Sequence, residues 1–207
     1  MDDGRRERLL DALEGIFFRE GFRRVTVGEL ASRLRCSRRA LYEIAPTKED
    51  LFVFVLERLL RRIRARGEEA ARSTPDLAER IEAYLAPGIT ETARATQFFS
   101  ADVATFPPAH RRMEDHQRQR LKGLGEIVTE GARKGIFRGF DPHLVAEVFA
   151  LAYRRAIEPE FLAETRLTLA EAFRELSQLL RHGLLHSEKA RRNASSRRAA
   201  SRRTRQP

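Results

Sequence analysis

The sequence is poor in the residues and patterns that stabilise β-sheets, disulfides or membrane spans. Its 207 residues include one cysteine, Cys36, and no tryptophan, and no Val/Ile/Thr-rich stretch alternates as a strand does. A single cysteine excludes an intramolecular disulfide and favours a reducing, cytoplasmic setting. The apolar runs are far shorter than the roughly 18 residues of a membrane span. The N-terminus leads into an amphipathic helix without an apolar export segment. We therefore expect an all-α protein that has no membrane partner.

Patterns that would indicate catalysis or a bound cofactor are also missing. The sequence has no Gly-rich phosphate loop and no serine or cysteine in a recognisable His-and-acid pattern. His182 and His186 have the four-residue spacing of zinc-binding histidines, but the segment H-G-L-L-H lacks the acidic residue of H-E-x-x-H. We expect no enzyme activity, no catalytic residues, no metal and no cofactor.

The positive charge is concentrated in two places. The net charge is +10, and residues 188–207 hold eight Lys/Arg and one acid, which gives +7 and leaves +3 for the other 187 residues. Residues 187–207 have no hydrophobic period, so we expect a disordered basic tail that is either merely solvated or a non-specific polyanion contact. The second place is more specific, since Arg33, Arg35, Arg38 and Arg39 fall within seven residues without an acid.

Helix start signals recur along the chain and predict about nine helices. Thr26 with Glu29 and Thr168 with Glu171 form T-x-x-E capping boxes. Further signals are cap residues and prolines at Ser37, Thr47, Thr74-Pro75, Pro107-Pro108 and Asp141-Pro142. We expect a long helix from Lys48 to about Gly67, a break or kink at Pro87-Gly88, and late helices over about 142–158 and 168–185.

The first part of the chain has the organisation of a helix-turn-helix DNA reader. Residues 26–34 would form its first helix, Arg35-Cys36-Ser37 the turn, and residues 38–44 the second helix. Arginine can bind guanine bidentately, and a small residue such as Ala40 lets the helix approach the base edges. A phenol and an ammonium suit phosphate oxygens, which fits Tyr42 and Lys48.

A stretch of 46 residues resembles the TetR family of bacterial transcription regulators. It reads R-E-R-L-L-D-A-L-E-G-I-F-F-R-E-G-F-R-R-V-T-V-G-E-L-A-S-R-L-R-C-S-R-R-A-L-Y-E-I-A-P-T-K-E-D-L. The later segment E-G-A-R-K-G-I-F-R-G-F-D-P is also similar to the family's regulatory domain. The resemblance implies seven DNA-contacting residues, at the first cap, the start of the recognition helix and just beyond it: Thr26, Ser37, Arg38, Arg39, Ala40, Tyr42 and Lys48.

Two departures from the family pattern affect the placement of the recognition helix. Arg35 stands in place of the turn glycine, so either a non-glycine residue accepts a positive φ or the turn differs slightly. Ala45 replaces a phenylalanine that packs the recognition helix, and Ile44 is the residue expected to fill that gap. Cys36, where the family has valine, is interpreted as a small buried hydrophobic residue. Arg33 and Arg35 are interpreted as solvated or phosphate-attracting rather than base-reading residues.

The resemblance also implies a domain division and a homodimer. We expect a DNA-binding domain over 1–47, a ligand-binding and dimerisation domain over 48–186, and the tail over 187–207. Two late helices would pair with their copies in a four-helix bundle, unless their apolar residues serve the monomer's own core. The residues expected to contribute to that interface are Leu144, Val148, Phe149, Leu176 and Leu180.

The same resemblance implies a ligand cavity in the larger domain. Its expected lining consists of Tyr84, Phe98, Phe99, Phe106, His110 and His116. Their aromatic content suggests an apolar or aromatic small-molecule effector, although each could also be plain packing. The sequence thus predicts a dimeric regulator, by family default a repressor, that binds a palindromic operator on double-stranded DNA and is released by a ligand. Two alternatives stay open: a ligand-independent architectural DNA-binding protein using the basic tail, and a helical protein-interaction module.

Overall fold

The computed structural model describes residues 3–137, 140–156 and 158–184. The regular structure of these ranges is helical, which confirms the all-α class. The helices are α1 (Asp3–Glu20), α2 (Val27–Arg33), α3 (Arg38–Tyr42), α4 (Lys48–Ser73), α5 (Leu77–Thr92), α6 (Gln97–Thr105), α7 (Pro107–Arg133), α8 (Pro142–Ala156), α9 (Pro159–Thr165) and α10 (Leu169–Leu184). The predicted tail and His186 lie outside the described residues.

Side-chain caps fix where the helices around the arginine cluster begin. The Thr26 hydroxyl accepts from the Glu29 amide at 3.2 Å, and the Glu29 carboxylate accepts from the Thr26 amide at 2.7 Å. Ser37 accepts from the Ala40 amide at 3.1 Å, which starts α3. These predicted caps are confirmed. Because each cap fixes the first residue of its helix, it also fixes which side of the helix each later residue occupies.

Two helices continue through residues at which the sequence predicts a stop, or a break or kink. The helix α4 continues past Gly67 to Ser73, because this glycine is buried against other helices rather than placed at a terminus. Likewise α5 continues through Pro87 to Thr92. Thr74-Pro75 does not start α5, since Thr74 ends α4 and Asp76 supplies the cap through its contact with the Ala78 amide. The helix α9, which begins at Pro159, is the one that the prediction of about nine helices omitted.

The first hydrophobic core joins the arginine-bearing helices to the rest of the protein. Phe22 stacks on Phe52 of α4 with ring centroids 4.4 Å apart, so the start of α4 is part of this core. Phe99 and Val103 of α6 also belong to it, as does Ala109 at the start of α7. The division at residues 47 and 48 stays a prediction, and its two sides share one packed interior.

Two further clusters build the larger helical body. One combines the end of α4 with α5, α7, α8 and α10, with Ile81, Leu124 and Val128 at its centre. The other lies between the end of α8 and the start of α10, around Ala156 and Phe173. Since α4 contributes to both the first core and this body, it links the short N-terminal helices to the interior of the larger unit.

Candidate nucleic-acid interface and internal cavity

The start of α3 presents its polar residues to solvent because Leu41 anchors the opposite side. Leu41 is 1% exposed within the first core. Ser37, Arg38 and Arg39 are exposed, Ala40 is half-buried, and Tyr42 is 47% exposed. A short helix held from behind by one leucine can therefore offer its N-terminal residues to a groove.

The turn before α3 is a Schellman motif with arginine at the position that glycine usually occupies. The Cys36 amide donates to the Ala31 carbonyl at 3.0 Å, and the Arg35 amide donates to the Ser32 carbonyl at 3.2 Å. Arg35 has φ of +50°, in the left-handed region. Of the two expected alternatives, the structure has the positive φ at a non-glycine residue, so the turn between α2 and α3 forms at the cost of local strain.

The two adjacent arginines of α3 have different surroundings. The Arg38 guanidinium lies over Gly28 near the start of α2, where a Cβ would come within 2.8 Å of Arg38 Nη2. The Arg39 side chain is 89% exposed, and its Nε lies 3.4 Å from a Glu43 carboxylate oxygen. Exposed ion pairs of this kind contribute little, so Arg39 can leave Glu43 at small cost.

The residues expected to contact phosphate are partly engaged within the protein. Lys48 Nζ donates to the Val25 carbonyl at 3.0 Å, which fixes the ammonium beside the start of α2. The Thr26 amide and hydroxyl both donate to the Glu29 carboxylate, at 2.7 and 2.8 Å. The hydrogen bond from the Thr26 backbone amide is the main cause that lowers the pKa of Glu29, so this carboxylate is ionised at neutral pH. A phosphate at Thr26 would therefore compete with Glu29, whereas Lys48 retains donors for a second partner.

The structure also places the residues that depart from the family pattern. Ala45 is buried, and Ile44 beside it packs partly buried against the first core, as expected of the residue that replaces the missing aromatic ring. Cys36 is only partly buried, and burial raises the pKa of its thiol. Arg33 pairs with Glu20 at 2.5 Å, which ties the end of α2 to α1.

A cavity of about 60 Å³ lies inside the larger helical body. It is enclosed by α4, α5, α6, α7, α8 and the start of α10. Its apolar wall includes Leu59, Leu60, Ile63, Leu85, Phe99, Met113, Leu124, Phe149, Leu169 and Phe173. Pockets that bind drug-sized ligands measure roughly 300–1,000 Å³. This cavity is much smaller, so it can hold only a small molecule unless side chains move.

The cavity wall is almost entirely apolar, and α7 contributes most of its polar residues. His116, Gln117 and Arg120 line it, and each is at most 9% exposed. Burial lowers the pKa of His116 to about 3, helped by the charges of Arg120 and Arg64, so the imidazole is neutral. The Arg120 guanidinium donates through Nη2 to the Tyr84 carbonyl at 2.7 Å.

The expected lining of the cavity is corrected in part. Phe99 and His116 line it, but Tyr84, Phe98, Phe106 and His110 do not. Phe98 lies on another side of α6 under the Arg24 guanidinium, and Phe106 packs on Phe22. Tyr84 is buried beside the cavity, where its hydroxyl donates to the Arg120 carbonyl at 3.0 Å.

Arg120 and Tyr153 are cavity residues that the sequence reasoning missed. The signal for Arg120 is helical spacing, because it lies four residues after His116 and four before Leu124 on the apolar side of α7. Arginine is almost never buried without a partner, so an arginine within such an apolar stripe indicates a site that can bind a partner group.

The expected dimer residues fall into two groups. Leu144 and Val148 are 62% and 58% exposed on α8, whereas Phe149 and Leu180 are buried in the second core. Leu176 is partly buried against the same core. Phe149 and Leu180 therefore pack within one chain, which is the alternative that the sequence left open for the apolar residues of these helices. Two exposed leucines were missed, Leu151 on α8 and Leu179 on α10.

Two other kinds of site do not occur in the described ranges. Within them, no group of three or more His, Cys, Asp and Glu residues is arranged to hold a metal ion. No helix there has both the length and the hydropathy needed to cross a membrane.

Comparison with known proteins places these features in context. Residues 9–54 match the tetR family of bacterial regulatory proteins. No curated protein matches the sequence. The fold is similar to that of the fatty acid degradation regulator FadR from Bacillus halodurans, with a TM-score of 0.66 and 16% identity over 90% of this chain and 100% of that one.

Two further solved structures share the fold. For the ketosteroid transcriptional regulator KstR2 of Mycobacterium tuberculosis, the TM-score is 0.59 at 20% identity, covering 90% of this chain and 98% of that one. For the TetR family regulator PfmR from Thermus thermophilus it is 0.61 at 21% identity, covering 86% and 100%. These likenesses are likenesses of fold, and they cover 86–90% of this chain.

Proposed function

We propose that this chain, which belongs to the TetR family of bacterial regulatory proteins, is a ligand-responsive repressor that binds a palindromic operator as a homodimer. The observation that carries the proposal is the start of α3, where Arg38 and Arg39 are exposed and Ala40 is half-buried while Leu41 anchors the helix in the core. A helix held in this way can enter a major groove with its first turn on the base edges.

In this proposal the two arginines have separate tasks. Arg39, which is 89% exposed and paired only with Glu43, reads a guanine through its O6 and N7 atoms. Arg38, whose guanidinium lies over Gly28 near the start of α2, contacts the phosphate backbone of the DNA. Tyr42 and Lys48 bind phosphates on either side of the groove, and these contacts set the register of the helix.

Two helices can carry a signal from the cavity to the DNA-binding helices. Leu59, Leu60 and Ile63 of α4 line the cavity, and α4 begins at Lys48 beside the start of α2. Phe99 of α6 lines it as well and packs edge-on against Phe18 of α1, with ring centroids 4.7 Å apart. A ligand that fits only a shifted arrangement of these helices would change the separation of the two recognition helices and release the operator.

The apolar wall of the cavity supports a small apolar effector. Two of the solved regulators with the same fold are described as a ketosteroid transcriptional regulator and a fatty acid degradation regulator, which agrees with an apolar effector, whereas another is in complex with choline. The exposed leucine and valine residues on α8 and α10 support the dimer, because a helix pair with an uncovered apolar side fits a four-helix bundle with its copy.

The test is selection of bound duplexes from a randomised DNA library by the purified full-length protein. We expect an enriched palindrome whose half-sites are separated by about one helical turn, 10–10.5 base pairs, or a multiple of it. A general affinity that falls steeply with salt, without an enriched site, would instead support the architectural alternative. Absence of any DNA binding would support the protein-interaction alternative.

On the selected palindrome, Arg39→Ala is expected to weaken binding by about 1–3 kcal/mol and to relax the preference at one position of each half-site. The charge-matched control is Arg72→Ala, which removes an exposed arginine at the far end of α4. Equal losses in the two variants would contradict the groove placement of α3.

A further inference from the structure

Arg120 is a buried cation without an anion. It is 9% exposed, and its Nη1 atom has no hydrogen-bond partner. Its one side-chain hydrogen bond, from Nη2, goes to the Tyr84 carbonyl, and its guanidinium lies over the Tyr84 ring at 4.1 Å from the centroid. Among the described residues, no carboxylate oxygen lies within 4.0 Å of the Arg120 guanidinium, so no ion pair forms there. A buried charge of this kind is costly unless something pairs with it.

The surrounding helices are shaped to keep this guanidinium in place. Gly67 of α4 lies directly against Arg120 Nη1, so any side chain at this position would displace it. The Tyr84 hydroxyl holds the backbone of α7 at the Arg120 carbonyl. The arginine is thus packed between α4, α5 and α7 and forms part of the cavity wall.

A second unpaired polar atom belongs to His116, which lines the same cavity one helical turn before Arg120. His116 Nδ1 is buried without a hydrogen-bond partner, and His116 precedes Arg120 by four residues on α7. A neutral imidazole can carry its proton on Nδ1 and donate it. One cationic group and one neutral donor therefore adjoin a cavity whose other walls are almost entirely apolar.

We propose that the cavity binds a small apolar acid, whose carboxylate pairs with Arg120 and accepts a hydrogen bond from His116 while its hydrocarbon part packs on the leucine and phenylalanine side chains. The carboxylate supplies the missing charge, and a planar guanidinium is well matched to it. The small volume favours a single aromatic ring or a short chain. This assignment rests on the proposed ligand-responsive function and specifies the chemistry of its effector.

The test measures the binding of matched probes to the DNA-free full-length protein by calorimetry and by the rise in melting temperature. The probes are benzoate with benzamide and hexanoate with hexanamide, which have nearly the same shape within each pair but differ in the charge of the polar group and in one acceptor oxygen replaced by an NH2 donor, together with benzylamine as a cation. We expect each acid to bind at least about tenfold more tightly than its amide, which corresponds to about 1.4 kcal/mol, and benzylamine not to bind. Equal affinities of acid and amide, or no binding of any probe at about 10 mM, well above the ~1 mM Kd of a weak ligand, would overturn the assignment.

Variants separate pairing with the ligand from packing. Arg120→Gln should abolish the preference for the acid, Arg120→Lys should keep part of it, and Arg118→Gln, an exposed control on α7, should leave it unchanged. If Arg120→Gln does not fold, the comparison of Arg120→Lys with the wild type across the probe series decides. Preference for the acid in Arg120→Gln would contradict the pairing. If acids bind as expected but leave operator affinity unchanged, the proposed regulation fails while the ligand assignment stands.

Discussion

At the scale of single residues, Arg35 holds a backbone conformation that non-glycine residues rarely adopt. The Schellman motif requires its positive φ, and a left-handed conformation costs an L-residue about 1–2 kcal/mol. Glycine would remove this strain but adds freedom to the unfolded chain, which offsets about 0.4–1 kcal/mol. Arg35→Gly is therefore expected to stabilise the fold by about 0.5–1 kcal/mol and to raise Tm by about 1–4 °C, measured by thermal unfolding.

The control for this variant is Arg35→Ala, which removes the same charge but keeps the strained φ. It should leave Tm nearly unchanged or lower it. An equal rise in both variants would mean that charge repulsion within the arginine cluster, rather than backbone strain, destabilises the turn.

The sequence predicts the residues of α3 better than those of the cavity. Ser37 and Leu41 follow local rules, because a cap and an anchoring apolar residue act within one or two turns. Arg120 depends on three helices that are distant in sequence, and its place is set by Gly67 and Tyr84. Such a site follows from packing between helices, which short-range patterns do not specify.

At the scale of helices, α6 holds the end of α1 and the segment that follows it. The buried Asp102 carboxylate accepts from the Phe22 amide at 2.6 Å, and the Thr96 hydroxyl donates to the Phe18 carbonyl at 2.9 Å. Asp102→Ala leaves the Phe22 amide buried and unpaired, so we expect a loss of about 1–3 kcal/mol in the free energy of unfolding, measured by urea denaturation.

Thr105→Ala on the same helix is the matched control. Its hydroxyl accepts from the Arg23 guanidinium at an exposed position, so its removal should cost about 0.5 kcal/mol or less. Losses of the same size in both variants would show that α6 contributes through its general packing rather than through Asp102.

Helix boundaries were predictable where a cap determines them and unpredictable where tertiary contacts override a local signal. Thr47 starts α4 as expected, since its hydroxyl accepts from the Asp50 amide at 3.0 Å. Gly67 looks like a stop in the sequence and Pro87-Gly88 like a break or a kink, yet Gly67 and Pro87 both lie inside helices. Burial of the flanking residues against neighbouring helices offsets the weak helix propensity of glycine and the lost hydrogen bond of proline.

At the scale of the whole molecule, the described chain leaves an apolar surface uncovered on two neighbouring helices. Leu144, Val148 and Leu151 lie at positions i, i+4 and i+7 of α8, and each is at least 58% exposed. Leu179 of α10, the neighbouring helix, is 70% exposed. Large apolar side chains grouped in this way mark an interaction site, and a two-fold axis lets the surface cover itself.

Charge placed on this surface should separate the two copies. We expect the wild type to sediment at micromolar concentration with twice the 23.8 kDa mass of one chain, and Val148→Glu combined with Leu179→Glu to sediment as a single chain. The reason is that pairing would bury two carboxylates per chain in an apolar contact, at several kcal/mol each unless they protonate. Gln119→Glu, an exposed change on α7, is the control and should stay dimeric. A wild type of single-chain mass would contradict the dimer, and a double variant that stays dimeric would place the interface elsewhere.

Because two linked recognition helices bind a palindrome together, the single-chain variant should also lose most of its affinity for the full operator while keeping its weak affinity for one half-site.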